Sequence, residues 1–264
     1  MSNITISHAP SGLVKAEVVR SERISPHFVR VTLGGEELRR FEYRGFDQWF
    51  RLALPVDQGA GLDRMPQRID NRGMLAYLLL PKATRPVIRN YTVRAFRPER
   101  TELDVDFVVH GTEGVAGPWS LAVSGGERVA FIDQGCGWKD PGADSHLLVA
   151  DETGLPALAG ILRDLPGSAR GHAVIELPDI ADAQDIPAPA GVELHWVVRR
   201  HDARPGALAL STAQGLPASE NPYVFVVGES KLATGLRRWA VGERGVPKSH
   251  VTFCGYYKLG HAPH

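Results

Sequence analysis

Arg89-Asn90-Tyr91-Thr92-Val93-Arg94 is followed a few residues later by Leu103-Asp104-Val105-Asp106-Phe107-Val108-Val109-His110-Gly111. Both runs alternate in character and carry β-branched residues, so both read as strands, with Pro81 and Pro86 punctuating the loop before them. Alternate residues of a strand share a face. Arg89, Tyr91 and Val93 therefore point one way and Thr92 and Arg94 the other, unless a bulge intervenes. A planar anionic cofactor needs a cation for its phosphates, a flat apolar surface for its ring and a hydroxyl for a ring heteroatom, and Arg89, Tyr91 and Thr92 supply all three. A barrel strand with two solvated arginines and a packed tyrosine would carry the same residues, so the flanking chain has to decide.

Upstream, residues 13–20, 27–33 and 48–54 alternate as strands, and 57–73 read as a polar surface loop. Residues 74–80 read as a fourth strand, too apolar to be solvated; 89–96 and 103–110 follow. A short helix near 119–123, a Ser124-Gly125-Gly126 turn and a strand at 128–132 complete the half. Short strands at hairpin spacing favour a closed antiparallel barrel. The pattern changes at Gly137-Trp138-Lys139-Asp140-Pro141-Gly142, which is turn chemistry. Beyond it, apolar strands (146–150, 173–177, 193–198, 223–227, 250–254) alternate with helices (155–165, 206–214, 232–243). That is the signature of a parallel sheet covered by helices. The expected fold is β plus α/β: an N-terminal antiparallel Greek-key β-barrel over 1–138, then a Rossmann-like three-layer α/β domain over 144–264.

The 264 residues balance 30 basic against 30 acidic side chains, which argues against a general nucleic-acid or membrane-surface binder. Cys136 and Cys254 form no CxxC pair, and the ten histidines show neither HExxH nor HxxxH spacing, so no metal site built from protein ligands is expected. No signal-type N-terminus and no membrane-length apolar run is present, so a cytoplasmic chain is expected, and a monomer by default.

Ligands of parallel α/β sheets bind beyond the carboxyl ends of the strands. There the first strand is followed by Asp151-Glu152-Thr153-Gly154-Leu155-Pro156, where Thr153 and Gly154 open a helix that suits a phosphate or an ordinary cap. Arg199-Arg200 follow the third strand and suit an adenosine 2′-phosphate or plain solvation; Glu176 on the second suits a ribose hydroxyl. Gly228-Glu229-Ser230 follow the fourth and Gly255-Tyr256-Tyr257-Lys258 the fifth, the tyrosines suiting a cofactor ring or an interface core. In the first half, Gly111-Thr112-Glu113-Gly114-Val115-Ala116-Gly117-Pro118-Trp119-Ser120 is Gly-rich backbone feeding a helix, the geometry of a phosphate cradle or of a turn.

Taken together these segments resemble the siderophore-interacting proteins, flavin-dependent ferric-siderophore reductases of the ferredoxin-reductase-like superfamily. Residues 89–94 resemble that family's R-x-Y-T-x-R flavin motif, Gly117-Pro118-Trp119-Ser120 its phosphate segment, and Ala150-Asp151-Glu152-Thr153-Gly154-Leu155-Pro156-Ala157 its A-D-E-T-A-L-P-A. Gly228-Glu229-Ser230 is similar to G-E-A and Gly255-Tyr256-Tyr257-Lys258 to G-Y-W-R. The chain departs in placing Trp119 directly after Pro118, Tyr257 where the family has Trp, and Gln134 where it has Pro. The resemblance implies FAD in the barrel: Arg89 on its diphosphate, Tyr91 on the isoalloxazine–ribityl region, Thr92 at the reactive ring edge. Val108, His110, Gly117, Pro118, Trp119 and Ser120 would hold the adenosine and pyrophosphate. NAD(P)H would dock on the α/β domain at Asp151, Thr153, Gly154, Arg199, Arg200, Gly228 and Glu229, with Tyr256 and Tyr257 near the ring. A ferric siderophore would dock on Lys258 and, more weakly, Arg51, and a ferredoxin is an alternative electron donor. A flavin reductase with another acceptor, or a non-catalytic iron-chelate carrier, stands beside that reading.

Overall fold

A computed structural model describes residues 2–7, 10–56, 61–109, 114–217 and 219–261. It divides into two compact units, Ile6–Cys136 and Gly137–His264 together with Met1–Thr5.

The first unit is one seven-stranded antiparallel sheet. Its strands are β1 (Leu13–Ser25), β2 (Phe28–Gly34), β3 (Trp49–Leu54), β4 (Val87–Thr92), β5 (Ala95–Arg97), β6 (Glu102–Val108) and β7 (Arg128–Gly135). They run in the order β4-β3-β7-β1-β2-β6-β5. β4 and β5 thus lie at opposite ends of the sheet, yet only Val93 and Arg94 separate them in sequence. A two-residue step between opposite edges is possible only if the sheet curls into a barrel. The Val93 N–H donates to the Gln48 carbonyl (2.8 Å), just before β3, and the Arg94 N–H to the Asp104 carbonyl (2.9 Å) on β6, so the link is bonded to the neighbour of each edge strand. Residues 89–96, which read as one strand, are two strands and the seam between them.

Inward-facing Val14, Val31, Leu33, Phe50, Leu52, Leu103, Val105, Phe107 and Phe131 are fully buried and fill the barrel. An ion-pair network lies along the seam. Asp106 takes a two-pronged bond from Arg30 (2.7 and 2.8 Å) and a second cation, Arg94, at 3.3 Å. Asp104 takes a matching pair from Arg97 (both 2.7 Å) and the Thr32 hydroxyl at 2.7 Å.

The expected strand at 74–80 is instead helix α1 (Asn71–Leu78). Asp70 caps it, its carboxylate accepting from the Gly73 N–H at 2.8 Å. Gly73 permits the tight entry: a Cβ there would lie 1.7 Å from the Arg68 carbonyl oxygen. The apolar run is not buried either. Leu75 is 61% exposed and Leu79 76%, while Tyr77 and Leu80 alone of this stretch turn inward, onto the outer-face cluster of Leu13, Ala53, Leu62, Met65, Ile69, Ala130 and Ile132. Helix α2 (Ala116–Ala122) follows β6.

The second unit has five parallel strands, β8 (Ser145–Ala150), β9 (Arg170–Leu177), β10 (Gly191–Val198), β11 (Pro222–Glu229) and β12 (Val251–Tyr257), in the order β10-β9-β8-β11-β12. Helices α3 (Leu155–Asp164), α4 (Ala207–Gly215) and α5 (Ser230–Gly242) connect them. Val149, Val174, Val224 and Val226 pack with Ala209, Ala213, Leu232 and Leu236 in its core. The strand order reverses between β8 and β11, which opens a crevice beyond their carboxyl ends. Asn3 is stitched to β12: its side chain donates to the Val251 carbonyl (2.7 Å) and accepts from the Phe253 N–H (2.9 Å).

Candidate functional site

In the barrel, β4 lies against β3 with Arg89 opposite Leu52, Tyr91 opposite Phe50 and Thr92 opposite Trp49. Arg89 and Tyr91 share a face, as the alternation requires. The Tyr91 ring is half-buried, 4.3 Å from the Phe107 ring, which lies 5.5 Å from Trp119. Burial pushes the Tyr91 phenol upward, with the charge of Arg89 pulling the other way. Arg89 is half-buried, and its Nη1 donates to the Ile88 carbonyl at 2.8 Å. Among the described residues it has no carboxylate partner, in contrast to Arg94 at the far end of the same hexapeptide.

On the opposite face Thr92 is buried, and the indole N–H of its partner Trp49 is buried without a hydrogen-bond acceptor among the described residues. An orphaned buried donor costs stability unless a ligand completes it, and nothing about Trp49 in the sequence signals this. Arg51, on the same face, is half-buried, with its Nη1 donating to the Ile69 carbonyl at 3.1 Å; burial lowers its guanidinium from the usual range.

The turn before α2 has Gly114 at φ +84°, with open space where a Cβ would stand. Gly117 and Pro118 lie in the first turn of α2. The Ser120 hydroxyl donates to the Gly117 carbonyl (2.8 Å) and the Trp119 indole to Glu127 (2.6 Å), so both side chains are committed internally. Val108, half-buried, pairs with Phe28. His110 lies outside the described residues.

At the crevice of the parallel sheet, four fully buried carboxylates converge on backbone N–H groups and arginines. Asp151 accepts from the Thr153 N–H (3.0 Å) and hydroxyl (2.5 Å) and from the Glu229 N–H (2.6 Å). Its nearness to β11 explains Gly228: at φ +124° a Cβ would stand 2.6 Å from the Asp151 carboxyl carbon. Gly154 likewise lets α3 approach, since its Cβ would meet Val227 at 2.6 Å. Glu152 accepts from both terminal guanidinium nitrogens of Arg199, Nη1 and Nη2 (2.5 and 2.8 Å). Glu176 accepts from the Gly206 (2.7 Å) and Ala209 (2.9 Å) N–H groups and so caps α4. Glu229 accepts from Arg204 at 2.9 Å, the Lys231 N–H at 2.5 Å and the Leu259 N–H at 3.2 Å. Arg199 is thus an internal counterion, while Arg200 is 85% exposed and touches only exposed Asp202 at 3.2 Å among the described residues. Burial, then the charges of Asp151 and Glu152, push the Tyr257 phenol upward. Tyr256 and Lys258 are exposed beside it.

Burial, reinforced by the Glu152 charge, raises the Asp151 carboxyl to about 7. An acid whose folded pKa is raised holds a proton that the unfolded chain has lost, so its contribution favours folding at low pH. That contribution falls as pH climbs from about 4 to about 7, by less than ~1.4 kcal/mol per pH unit. Urea unfolding of wild type and Asp151→Asn across this range checks it. The difference between the two should change with pH; a constant difference rules out a titrating Asp151.

Away from both regions, His172, Glu193 and His195 come together on β9 and β10. Searching for HxxxH looks for helical spacing and passes over Glu193-x-His195, where residues two apart share a strand face.

Residues 17–137 match the family model described as "Siderophore-interacting FAD-binding domain", and residues 143–260 match "Siderophore-interacting protein". The chain is 32% identical over 250 residues to the ferric vibriobactin reductase ViuB of Vibrio cholerae, covering 92% of this chain and 89% of that one. It is 31% identical over 235 residues to the NADPH-dependent ferric-chelate reductase of Escherichia coli, covering 88% and 87%. A crystal structure of a siderophore utilization protein from T. fusca superposes with a TM-score of 0.78 at 30% identity, covering 98% of this chain and 97% of that one.

Proposed function

This chain belongs to the siderophore-interacting protein family, and from that premise we propose that it is an FAD-dependent oxidoreductase that takes electrons from NAD(P)H and reduces a ferric siderophore to release Fe(II). The observation that carries the reading is Arg89: a half-buried cation without a carboxylate partner among the described residues, two residues along β4 from half-buried Tyr91 on the same face. The residues fit FAD, because the barrel also offers the orphaned Trp49 N–H and the open turn at Gly114.

The barrel holds FAD and the α/β unit the nicotinamide nucleotide. Arg89 would neutralise the diphosphate, Tyr91 would pack on the flavin and Thr92 would supply it a hydrogen bond. The chemistry that FAD supplies when bound is acceptance of a hydride from a nicotinamide and delivery of single electrons to Fe(III). The Asp151–Thr153–Glu229 bonds fix the crevice between β8 and β11, and the nucleotide docks beyond the carboxyl ends of these strands. Because Arg199 is held by Glu152, Arg200 is the cation left for a 2′-phosphate. Lys258, exposed and without a carboxylate partner among the described residues, docks the anionic chelate. Fe(II) is softer and less charged than Fe(III), so hard oxygen donors hold it less tightly and the iron leaves. No side chain has to act as a general acid or base. The proposal extends to a monomer working in the cytoplasm, with a nicotinamide rather than a ferredoxin as donor.

The test is an absorbance spectrum of the purified protein, recorded anaerobically before and after NADPH and then NADH. A flavin spectrum that bleaches with a nicotinamide and returns when a ferric siderophore is added, with Fe(II) trapped by a chromogenic chelator, is the expected result. A flavin that neither nicotinamide bleaches transfers the donor role to a ferredoxin-type protein. Failure to take up FAD on reconstitution overturns the reading and leaves a carrier.

A further inference from the structure

His172 and Glu193 are register partners on β9 and the edge strand β10, and His195 lies two residues further on the same face. His172 Nδ1 stands 3.2 Å from His195 Nε2 and 3.5 Å from one Glu193 carboxylate oxygen; His195 Nε2 stands 3.8 Å from the other. Donor atoms that each lie about 2.0–2.2 Å from a common ion are roughly 3.0–3.6 Å apart in tetrahedral or adjacent octahedral positions. The observed spacings are of that size, with the longest open by a few tenths of an ångström. A lone hydrogen bond between two imidazoles explains the first distance, but not why a carboxylate approaches both rings.

We propose that His172, Glu193 and His195 bind a divalent transition-metal ion of the class imidazole favours, Zn(II), Ni(II), Cu(II) or Fe(II). Two imidazoles and one carboxylate give three protein ligands and leave positions for water or an exogenous ligand. The side chains are 20%, 67% and 21% exposed in chain order, so an ion enters from solvent without opening the core. Adjacent paired strands hold both imidazoles on a rigid platform, which lowers the ordering cost of binding. The site is separate from the nucleotide crevice. His172 lies five residues before Leu177 at the carboxyl end of β9, about 16 Å at the usual strand rise. The inference stands on this geometry alone and does not depend on the proposed reductase activity, although the Fe(II) released by that activity falls in the class.

The experiment is calorimetric titration of chelator-treated, full-length protein with Zn(II), repeated anaerobically with Fe(II), on wild type, His195→Gln and Glu193→Gln. Wild type should bind one equivalent of Zn(II) with micromolar or tighter affinity, and either substitution should weaken that site by more than about 100-fold. Circular dichroism checks that the variants are folded; Glu193→Gln replaces an exposed side chain with an isostere, so it keeps the test open even if His195→Gln misfolds. Co(II) bound in place of Zn(II) should give a visible d–d band in wild type that is lost in both variants. Zn(II) affinity weaker than millimolar, or a micromolar site that Glu193→Gln and His195→Gln leave unchanged, overturns the proposal.

Discussion

Arg89→Ala should purify as a folded protein that has lost its hold on FAD, with a dissociation constant raised by roughly 100-fold. A guanidinium that bonds a phosphate contributes about 1.5–3 kcal/mol, and each 1.4 kcal/mol is a factor of ten. The prediction is sharp because Arg89 does so little for the fold. Its described hydrogen bond goes to the carbonyl of Ile88, the residue before it. Removing the side chain breaks no ion pair among the described residues, so the thermal midpoint of the apoprotein should stay close to wild type. Arg89→Lys should recover part of the affinity, because the charge returns without the planar fork. Titration of apoprotein with FAD, followed by flavin fluorescence quenching, gives the affinities. If Arg89→Ala binds FAD as tightly as wild type, Arg89 does not hold the diphosphate; if it unfolds, Arg89 is part of the barrel's own framework.

Much of this was legible in the chain because strands and parallel-sheet segments announce themselves by period. The exceptions have particular causes. Residues 74–80 show no alternation, and an unbroken apolar run does not tell strand from helix. What decided it was Asp70 capping the Gly73 amide, a local signal outranked by the apolar residues that followed. The expectation that those leucines are buried failed for the same reason: helix α1 and the residue that ends it turn Leu75, Leu78 and Leu79 to solvent. The seam at Val93-Arg94 was hidden because an antiparallel barrel closes through register, which no local pattern encodes.

The crevice shows a different limit. Which residues lie at the carboxyl end of each strand was readable, and the structure brings Asp151, Thr153, Gly228 and Glu229 together, although β11 runs through Gly228 and Glu229 and β12 through Tyr257 instead of ending before them. Which of them face a ligand was not. Arg199 and Arg200 are adjacent and chemically alike, yet Glu152 claims the first and leaves the second in solvent. A sequence gives the inventory of charges, but pairing depends on neighbours more than forty residues away, as Glu152 and Arg199 are. The histidine–glutamate trio was missed for the same reason, since its two strands contribute ligands at unrelated spacings.

Asp106→Ala should be the most destabilising single change at the seam, costing about 3–5 kcal/mol. The Asp106 carboxylate is fully shielded and serves two cations that are themselves largely covered, Arg94 at 16% exposure and Arg30 at 28%. Removing it takes that carboxylate from two desolvated guanidiniums, and the cost of their burial, more than the lost attraction, sets the size of the effect. Asp63 provides the control. It too pairs with two cations, Lys15 at 2.7 Å and Arg128 at 2.6 Å, but all three side chains are open to water. Solvent screens those bonds and rehydrates the partners once the carboxylate is gone, so Asp63→Ala should leave the unfolding midpoint near that of wild type. Urea unfolding of the three proteins, followed by tryptophan fluorescence, separates the cases. A large shift for Asp106→Ala beside a small one for Asp63→Ala is expected, although each carboxylate pairs with at least two cations. Equal shifts would mean that the seam is held by its backbone hydrogen bonds and hydrophobic core alone, and that the second arginine of the Arg89–Arg94 hexapeptide does not stabilise the closure.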